Sequence, residues 1–239
     1  MQMSQNSLEH VLVIGGGAIG TALAEQLAQA GAKVTLASRR ATQLETVETV
    51  QVKDWSAQSL DALATNFETL SGVVVATGVL HDAEKGIAPE KALGDLTQAN
   101  ISEVLQANAV FPALCGKAFL PKLDKNTPSF FAALSARVGS ITDNQLGGWY
   151  SYRMSKAALN MFIKTSSIEV ARKNKTAAVF GLHPGTVDSQ LSEPFKRNVP
   201  AGKLFTPTYS AAALVEVILS RTPEHTGRCF DYAGEEVLP

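Results

Sequence analysis

The sequence predicts a single-domain, doubly wound α/β fold, in which helices cover both faces of a parallel sheet. Short apolar or β-branched runs alternate with longer segments of helical period along the chain. Such alternation is typical of βαβ units. No shift of composition marks a linker, and 239 residues suit one α/β domain. We therefore expect one domain over residues 1–239, with residues 1–9 flexible.

The strands and helices follow in order from this alternation. The first half should hold strands at HVLVI, KVTLA, VETVQV and GVVVAT. Helices are expected at AIGTALAEQLAQA, at a polar stretch after KVTLA, and at SAQSLDALATNFETL. Later strands are expected at 129–135, 176–183 and 227–232, and long helices at 96–121 and 148–172. Segment 190–207 is expected to be a loop that covers the substrate site.

Composition excludes several classes of function. The net charge is −1 and the basic residues are scattered, so the sequence shows no basic cluster that would bind nucleic acid or an anionic membrane. No apolar stretch is long enough to cross a bilayer, and the first residues lack the apolar run of a signal peptide, which predicts a cytoplasmic protein. Cys115 and Cys229 have no metal-ligand spacing, so no metal is expected. A small-molecule partner fits best.

A glycine-rich turn follows the first predicted strand. Gly15, Gly17 and Gly20 form G-x-G-x-x-G, which opens the first helix and also includes Ile19. Glycines permit a tight turn and the close approach of a pyrophosphate, while a helix N-terminus offers free N–H groups. An ordinary strand-to-helix turn is the alternative, but the position at the first βα turn favours nucleotide binding. We predict that these four residues bind the cofactor.

The end of the second strand indicates which dinucleotide binds. Ser38 and Arg39 stand where such folds usually carry an acid for the adenosine ribose, and no acid lies between Glu25 and Glu45. A serine hydroxyl beside a guanidinium can hold a 2′-phosphate, which a carboxylate would repel. The pattern favours NADP over NAD. A solvated arginine pair, Arg39 with Arg40, remains the alternative.

Two further residues follow predicted strands. Asp54 could accept from the adenine amino group or could cap the helix that begins near Ser56, and the sequence does not separate these readings. Gly78 follows GVVVAT, where a side chain would obstruct a flat ligand. A simple turn glycine is the alternative there.

With these pieces in order, the chain resembles the short-chain dehydrogenase/reductase family over almost its whole length. The resemblance rests on the glycine turn, V-A-T-G at 75–78, Asn108 in QANAVFP, Ser135, Y-x-x-x-K at Tyr152 and Lys156, and H-P-G-T-V-D-S at 183–189. Within the family, ALSARVGSI and GGWYSYRMSKAALN resemble the carbonyl-reductase branch that includes the C-factor signalling proteins. The resemblance implies a Rossmann-type fold, a carbonyl or alcohol substrate, and a homodimer or homotetramer.

Tyr152 and Lys156 carry the expected chemistry. They are four residues apart, so they share one face of a helix, whereas Tyr150 has no such partner. A neighbouring ammonium lowers the pKa of a phenol, and Tyr152 can then donate a proton to a carbonyl oxygen or remove one from an alcohol. An exposed Tyr–Lys pair is the alternative, which the rest of the pattern disfavours.

The resemblance implies roles for the remaining residues. Lys156 would also bind the nicotinamide ribose, and Asn108 would hold a proton-relay water within a distorted helix. Four residues after the sixth predicted strand are assigned to the cofactor: Pro184, Gly185, Val187 and Ser189. A turn after a strand is the alternative for the Pro-Gly pair.

The chain departs from the family pattern at three places. The glycine turn is one residue shorter, and Val75 and Ala76 replace two asparagines. The family often shows two serines, of which the second is catalytic; here the register fixed on Gly139 puts Ala136 at that place and Ser135 before it. We nevertheless expect Ser135 to hydrogen-bond the substrate carbonyl, because the longer segment before Tyr152 allows the backbone to shift.

Two functions remain open at this level. The first is an NADPH-dependent reductase of an aldehyde or ketone. The second is an NADP-binding signalling or regulatory protein with little turnover, which the C-factor likeness and the uncertain serine suggest. The intact Tyr152–Lys156 pair favours the enzyme.

Overall fold

The chain forms a seven-stranded parallel sheet, which confirms the predicted fold class. A computed structural model describes residues 8–239, so most of the segment 1–9 expected to be flexible lies outside the described residues. The sheet has the order β3-β2-β1-β4-β5-β6-β9. Its strands are β1 (His10–Ile14), β2 (Lys33–Ser38), β3 (Glu48–Gln51), β4 (Gly72–Val75), β5 (Ser129–Leu134), β6 (Ala177–His183) and β9 (Cys229–Asp231). The strands β7 (Thr186–Val187) and β8 (Leu204–Phe205) pair separately.

Within residues 8–239, six α-helices cover the sheet. They are α1 (Ala18–Gln29), α2 (Ala57–Ala64), α3 (Gln98–Leu105), α4 (Phe111–Phe119), α5 (Tyr150–Lys173) and α6 (Pro207–Ser220). Successive side chains of a strand point to opposite faces, so β1 gives Val11 and Val13 to a core with α1 and α6. Its Leu12 and Ile14 belong to the other core, with α2, α4 and α5. Burial on both faces explains why the strands read as continuous apolar runs.

The structure differs from the sequence-based expectation in two connections. The prediction of a polar helix after β2 is wrong, because residues 39–47 form an irregular link to β3. In this link Val47 is buried and Leu44 packs against the core. The Thr42 hydroxyl donates to the Arg40 carbonyl, and this local hydrogen bond takes the place of a helical one. The long helix expected over 96–121 is divided into α3, a π-helical turn at Gln106–Val110, and α4.

No helix within residues 8–239 combines the length and the apolar character that crossing a membrane requires.

Candidate active site

Five of the predicted site residues lie at or just after the carboxyl ends of five neighbouring strands. Gly15 follows β1, Ser38 ends β2, Gly78 lies beyond β4, Ser135 follows β5, and Pro184 follows β6. These strands are adjacent and parallel, so their carboxyl ends share one edge of the sheet. The sheet order reverses between β1 and β4, which is where ligands bind in doubly wound folds.

The glycine turn after β1 has the geometry of a phosphate cradle. Gly15 has a φ of 118°, and a Cβ added to Gly20 would lie 1.9 Å from the Gly15 carbonyl oxygen, so both positions require glycine. Gly17 begins α1 without a side-chain cap, and nothing lies within 4 Å of the place where its Cβ would be. The first-turn N–H groups of α1 therefore have no side-chain cap, while the Ile19 side chain packs against the core.

Ser38 lies directly over this turn. Its side chain is buried, and a Cβ added to Gly16 would lie 2.4 Å from the Ser38 hydroxyl oxygen. That oxygen accepts the Arg40 N–H at 3.2 Å. Within residues 8–239 the exposed guanidinium of Arg39 makes no hydrogen bond or ion pair, and the Arg39 carbonyl accepts from Gln51. The Ser38 hydroxyl thus lies beside the glycine turn, and the next residue, Arg39, is exposed.

The Asp54 carboxylate hydrogen-bonds the start of α2, whose N-cap residue is Ser56. One of its carboxylate oxygens accepts from the Ser56 N–H at 3.0 Å and from the hydroxyls of Ser56 and Ser59 at 2.6 Å each. The hydroxyl of Ser56 is the main reason why the pKa of Asp54 falls to about 2. Of the two readings left open by the sequence, this geometry supports the cap at the start of α2.

Asn108 lies at the centre of the π-helical turn, which confirms the expected distortion of its helix. Its side chain is fully buried. The Nδ2 group donates to the Val79 carbonyl at 2.8 Å and to the Ser155 hydroxyl at 3.0 Å, and Oδ1 accepts the Val79 N–H at 2.8 Å. Asn108 therefore ties the loop after β4 to α5. Gly78 adjoins this tie, since an added Cβ would lie 3.3 Å from Asn108 Oδ1.

Tyr152 and Lys156 lie together in the first turns of α5, and both are buried. The Lys156 Nζ atom is 5.7 Å from the centroid of the Tyr152 ring and donates to the Leu134 carbonyl at 2.8 Å. Burial lowers the pKa of Lys156 to about 8 and raises the pKa of Tyr152. Burial thus outweighs the lowering expected from the ammonium, and the phenol keeps its proton at neutral pH.

The turn after β6 holds the last group of predicted residues. Gly185 has a φ of 74°, and an added Cβ would lie 2.7 Å from the Phe205 ring. The Pro184 carbonyl accepts from Ser210 at 2.8 Å, which ties the turn to α6. Val187 is buried in β7, and the Ser189 N–H donates to Ser192 at 3.2 Å. The turn is thus fixed at the same edge of the sheet as the glycine cradle.

A family model for short chain dehydrogenases matches residues 9–200. The chain belongs to the short-chain dehydrogenase family. Members are oxidoreductases that use a nicotinamide cofactor.

Curated relatives support this membership. The C-signal protein of Myxococcus xanthus is 36% identical over 146 residues, which are 61% of this chain and 82% of that protein. A 1-hydroxy-2-glutathionyl-2-methyl-3-butene dehydrogenase of Rhodococcus sp. (strain AD45) is 32% identical over 173 residues, or 72% of each chain.

Solved structures show the same fold. Carbonyl reductase Sniffer of D. melanogaster has a TM-score of 0.82 and 20% identity, covering 97% of this chain and 100% of that chain. The NADPH-bound carbonyl reductase from chicken fatty liver has a TM-score of 0.81 and 21% identity, covering 99% and 97%.

In this short-chain dehydrogenase the Ser135 hydroxyl, which was expected to face the substrate beside Tyr152, is directed to Asn160 instead. The Ser135 hydroxyl donates to Asn160 Oδ1 at 2.6 Å, and Asn160 lies two helical turns beyond Tyr152. Ala136 instead packs against the apolar cluster that contains Tyr152. The structure therefore follows the register fixed on Gly139 and brings Ala136, rather than the Ser135 hydroxyl, to the Tyr152 cluster.

Sequence reasoning missed two residues of the short-chain dehydrogenase site, Trp149 and Glu90, whereas Phe195 lies in the segment 190–207 that was expected to cover the substrate site. Trp149 and Phe195 also pack against the Tyr152 cluster. Glu90, from the long connection after β4, hydrogen-bonds the N-terminus of α5. The glycine pair before Trp149 was the one available signal, since consecutive glycines mark an unusual backbone. For Glu90 the chain offers no local signal, because its partners lie far away in the sequence.

Proposed function

We propose that the protein is an NADPH-dependent oxidoreductase that acts on a small carbonyl or alcohol substrate, with Tyr152 as general acid and base. The observation that carries this proposal is the buried Tyr152–Lys156 pair, which lies beside the fixed Asn108 side chain at the carboxyl edge of the sheet. Family membership supports the class of reaction.

The residues of the first two βα turns fit NADP. The open space at Gly17 and the uncapped start of α1 suit a pyrophosphate, and Ser38 with Arg39 suits a 2′-phosphate. The turn at Pro184, Gly185, Val187 and Ser189 would position the nicotinamide. When bound, the reduced cofactor supplies the hydride. A solved neighbour described as NADPH-bound carbonyl reductase has the same fold and supports this choice.

Tyr152 would supply the proton. The phenol carries its proton at neutral pH, so its hydroxyl can donate to a carbonyl oxygen as negative charge develops there. The reverse reaction would return this proton from an alcohol. Lys156 would hold the nicotinamide ribose, and its positive charge would stabilise the tyrosinate that proton donation leaves. The Lys156 pKa of about 8 means that much of this charge is present at neutral pH.

Asn108 would support proton relay through its backbone. Both polar ends of its side chain are engaged by Val79 and Ser155. A π-helical turn interrupts the regular helical hydrogen-bond pattern, so the main chain near Asn108 is the place that would hold the relay water.

A second function is favoured by one observation. The similarity to the C-signal protein supports an NADP-binding signalling or regulatory protein with little turnover. Oxidation of NADPH against a panel of aldehydes and ketones separates the two functions. Sustained turnover supports the enzyme, whereas tight NADP binding without turnover supports the alternative.

The central test is Tyr152→Phe, which keeps the ring packing and removes the proton donor. Loss of general acid catalysis should lower kcat by a factor on the order of 10²–10⁴, while the Kd for NADPH stays unchanged. Tyr150→Phe, on the same turn of α5, is the matched control and should retain full activity. Native turnover in Tyr152→Phe would remove this residue from the mechanism.

Cofactor choice is tested with Arg39→Ala. Loss of a charge-assisted contact to the 2′-phosphate should weaken NADPH binding roughly 10- to 100-fold and leave NADH binding unchanged. Isothermal titration measures both affinities in the wild type and the variant. Equal affinities of the wild type for NADPH and NADH would contradict the preference for NADP.

A further inference from the structure

Trp149 has a strained backbone next to the proposed proton donor. Its φ of 51° and ψ of 43° lie in the left-handed region, and it is the only non-glycine residue with positive φ in residues 8–239. Gly147 and Gly148 precede it with φ of 66° and 65°. A bulky side chain is rarely found in this region, and such strain persists only where surrounding contacts hold it.

Glu90 holds Trp149 from one side. The Glu90 carbonyl accepts the Trp149 N–H at 2.6 Å. The Glu90 side chain is only 2% exposed, and its carboxylate accepts the Ser151 N–H at 3.1 Å and the Ser151 hydroxyl. A carboxylate at a helix N-terminus is favourably placed, so Glu90 fixes both Trp149 and the first turn of α5.

Arg153 holds the same segment from α5. Its guanidinium donates to the carbonyls of Gly148 at 3.0 Å, Gly147 at 3.2 Å and Val138 at 3.3 Å. These three hydrogen bonds engage all three guanidinium nitrogens with backbone carbonyls. The left-handed segment is therefore fixed from two sides, and the charge of Arg153 is directed to these carbonyls.

This conformation places the indole of Trp149 between Tyr152 and the loop 190–207. The ring centroids of Trp149 and Tyr152 are 6.2 Å apart in an edge-on arrangement, and those of Trp149 and Phe195 are 4.9 Å apart. His81 stands edge-on to Phe195 at 6.3 Å and contacts the Gln190 carbonyl at 2.8 Å. The indole of Trp149, the residue just before α5, thus lies beside the phenol of Tyr152, and the Phe195 ring of the loop lies against that indole.

Besides the Lys156 ammonium, Tyr152 has a set of apolar neighbours. The Lys196 Nζ atom, next to Phe195 in sequence, pairs with the carboxylates of Asp188 and Glu193. The other residues that pack with Tyr152 are Val79, Leu80, Ile87, Val104, Ala136, Val138 and Leu191. The loop therefore presents its phenylalanine to the site, while its lysine is neutralised by neighbouring carboxylates.

We propose that Trp149 and Phe195 form an aromatic clamp that selects aldehydes and ketones with a flat aromatic substituent, and that Trp149 is the specificity-determining residue. This inference rests on the proposed carbonyl reduction. Because the two rings contact each other, a flat substituent would pack against the side that they share while its carbonyl group lies at Tyr152. Glu90 and Arg153 are positioning residues that keep the indole in place.

The test compares acetophenone with cyclohexyl methyl ketone, which is similar in size but not flat, and with butanone. The wild type should show the highest kcat/KM for acetophenone. Trp149→Asn removes the ring and keeps a residue that tolerates the left-handed conformation. Phe195→Leu removes the other ring. Each should lower kcat/KM for acetophenone roughly 10- to 100-fold, mainly through KM, and should lower kcat/KM for butanone much less.

Trp55→Phe is the matched control, because Trp55 packs on Phe111 in the other core and should leave the substrate preference unchanged. Affinity for NADPH reports the folding of every variant. If neither Trp149→Asn nor Phe195→Leu changes the ratio of acetophenone to cyclohexyl methyl ketone, the clamp is overturned even where the protein is a reductase.

Calorimetric titration of acetophenone into the NADP⁺-loaded protein separates the clamp from the proposed function. Binding that weakens in Trp149→Asn, in a protein that reduces none of the ketones, supports the clamp and contradicts the reductase. Absence of acetophenone binding in the wild type overturns the clamp.

Discussion

At the scale of single residues, the role proposed for Tyr152 depends on which side chains lie next to it. Ser135 is directed to Asn160, whereas Ala136 packs against the Tyr152 cluster. A methyl group there offers no hydrogen bond to a carbonyl oxygen. The geometry thus weighs against Ser135 as a donor to substrate, and in the proposed reaction it leaves the donation to the hydroxyl of Tyr152.

This arrangement predicts opposite effects for two substitutions. Ser135→Ala should cost about 1 kcal/mol of unfolding free energy through its lost bond to Asn160, with kcat near native. Ala136→Ser should add a hydroxyl beside Tyr152 and raise kcat, because one donor to developing charge is worth a factor on the order of 10²–10³. Steady-state kinetics and urea unfolding measure both. A fall of kcat by a factor on the order of 10²–10³ in Ser135→Ala would instead support the hypothesis that Ser135 hydrogen-bonds the substrate carbonyl.

At the scale of helices and strands, the sequence predicts those elements whose conformation depends on residues close together in the chain. The buried strands read as apolar runs, and the first βα turn needs its glycines for backbone reasons, so both could be predicted. The distortion at Asn108 was also accessible, because an asparagine competes with helix hydrogen bonds. The conformation of Trp149 was not, because it depends on Glu90, which is distant in sequence. The link over residues 39–47 was predicted wrongly because its apolar residues contact the core individually.

The pairing of β4 with β5 gives a prediction at this scale. Gly72 is the register partner of Phe130, and an added Cβ would lie 2.2 Å from the Phe130 ring. That ring is buried and stacks on Phe180, with centroids 6.1 Å apart, so it has little room to move. Gly72→Ala should lower the unfolding free energy by about 1–3 kcal/mol in urea unfolding.

Gly94→Ala is the control for this substitution, because nothing lies within 4 Å of its added Cβ. It should leave stability nearly unchanged. Equal stability losses in the two variants would show that close packing against Phe130 is not the cause.

At the scale of the whole molecule, α5 has two different faces. Its inner face holds the site and contributes Leu159 and Ile163 to the core. Its outer side exposes Met154, Met161 and Ile168 by 43%, 66% and 49%. These three residues are seven apart, so they align along one side of the helix. A row of exposed apolar side chains is typical of a surface that another protein covers.

This surface, together with the family resemblance, predicts that the protein is a homo-oligomer that pairs through α5. Sedimentation equilibrium should show a dimer or tetramer for the wild type. Met161→Glu would place a charge in the middle of the paired surface, where it would be buried without a partner, and should shift the protein to a smaller species. Leu238→Glu changes an exposed leucine outside α5 and should leave the assembly intact. A wild type that stays monomeric at micromolar concentration, or an assembly that Met161→Glu leaves unchanged, would exclude α5 as the pairing surface.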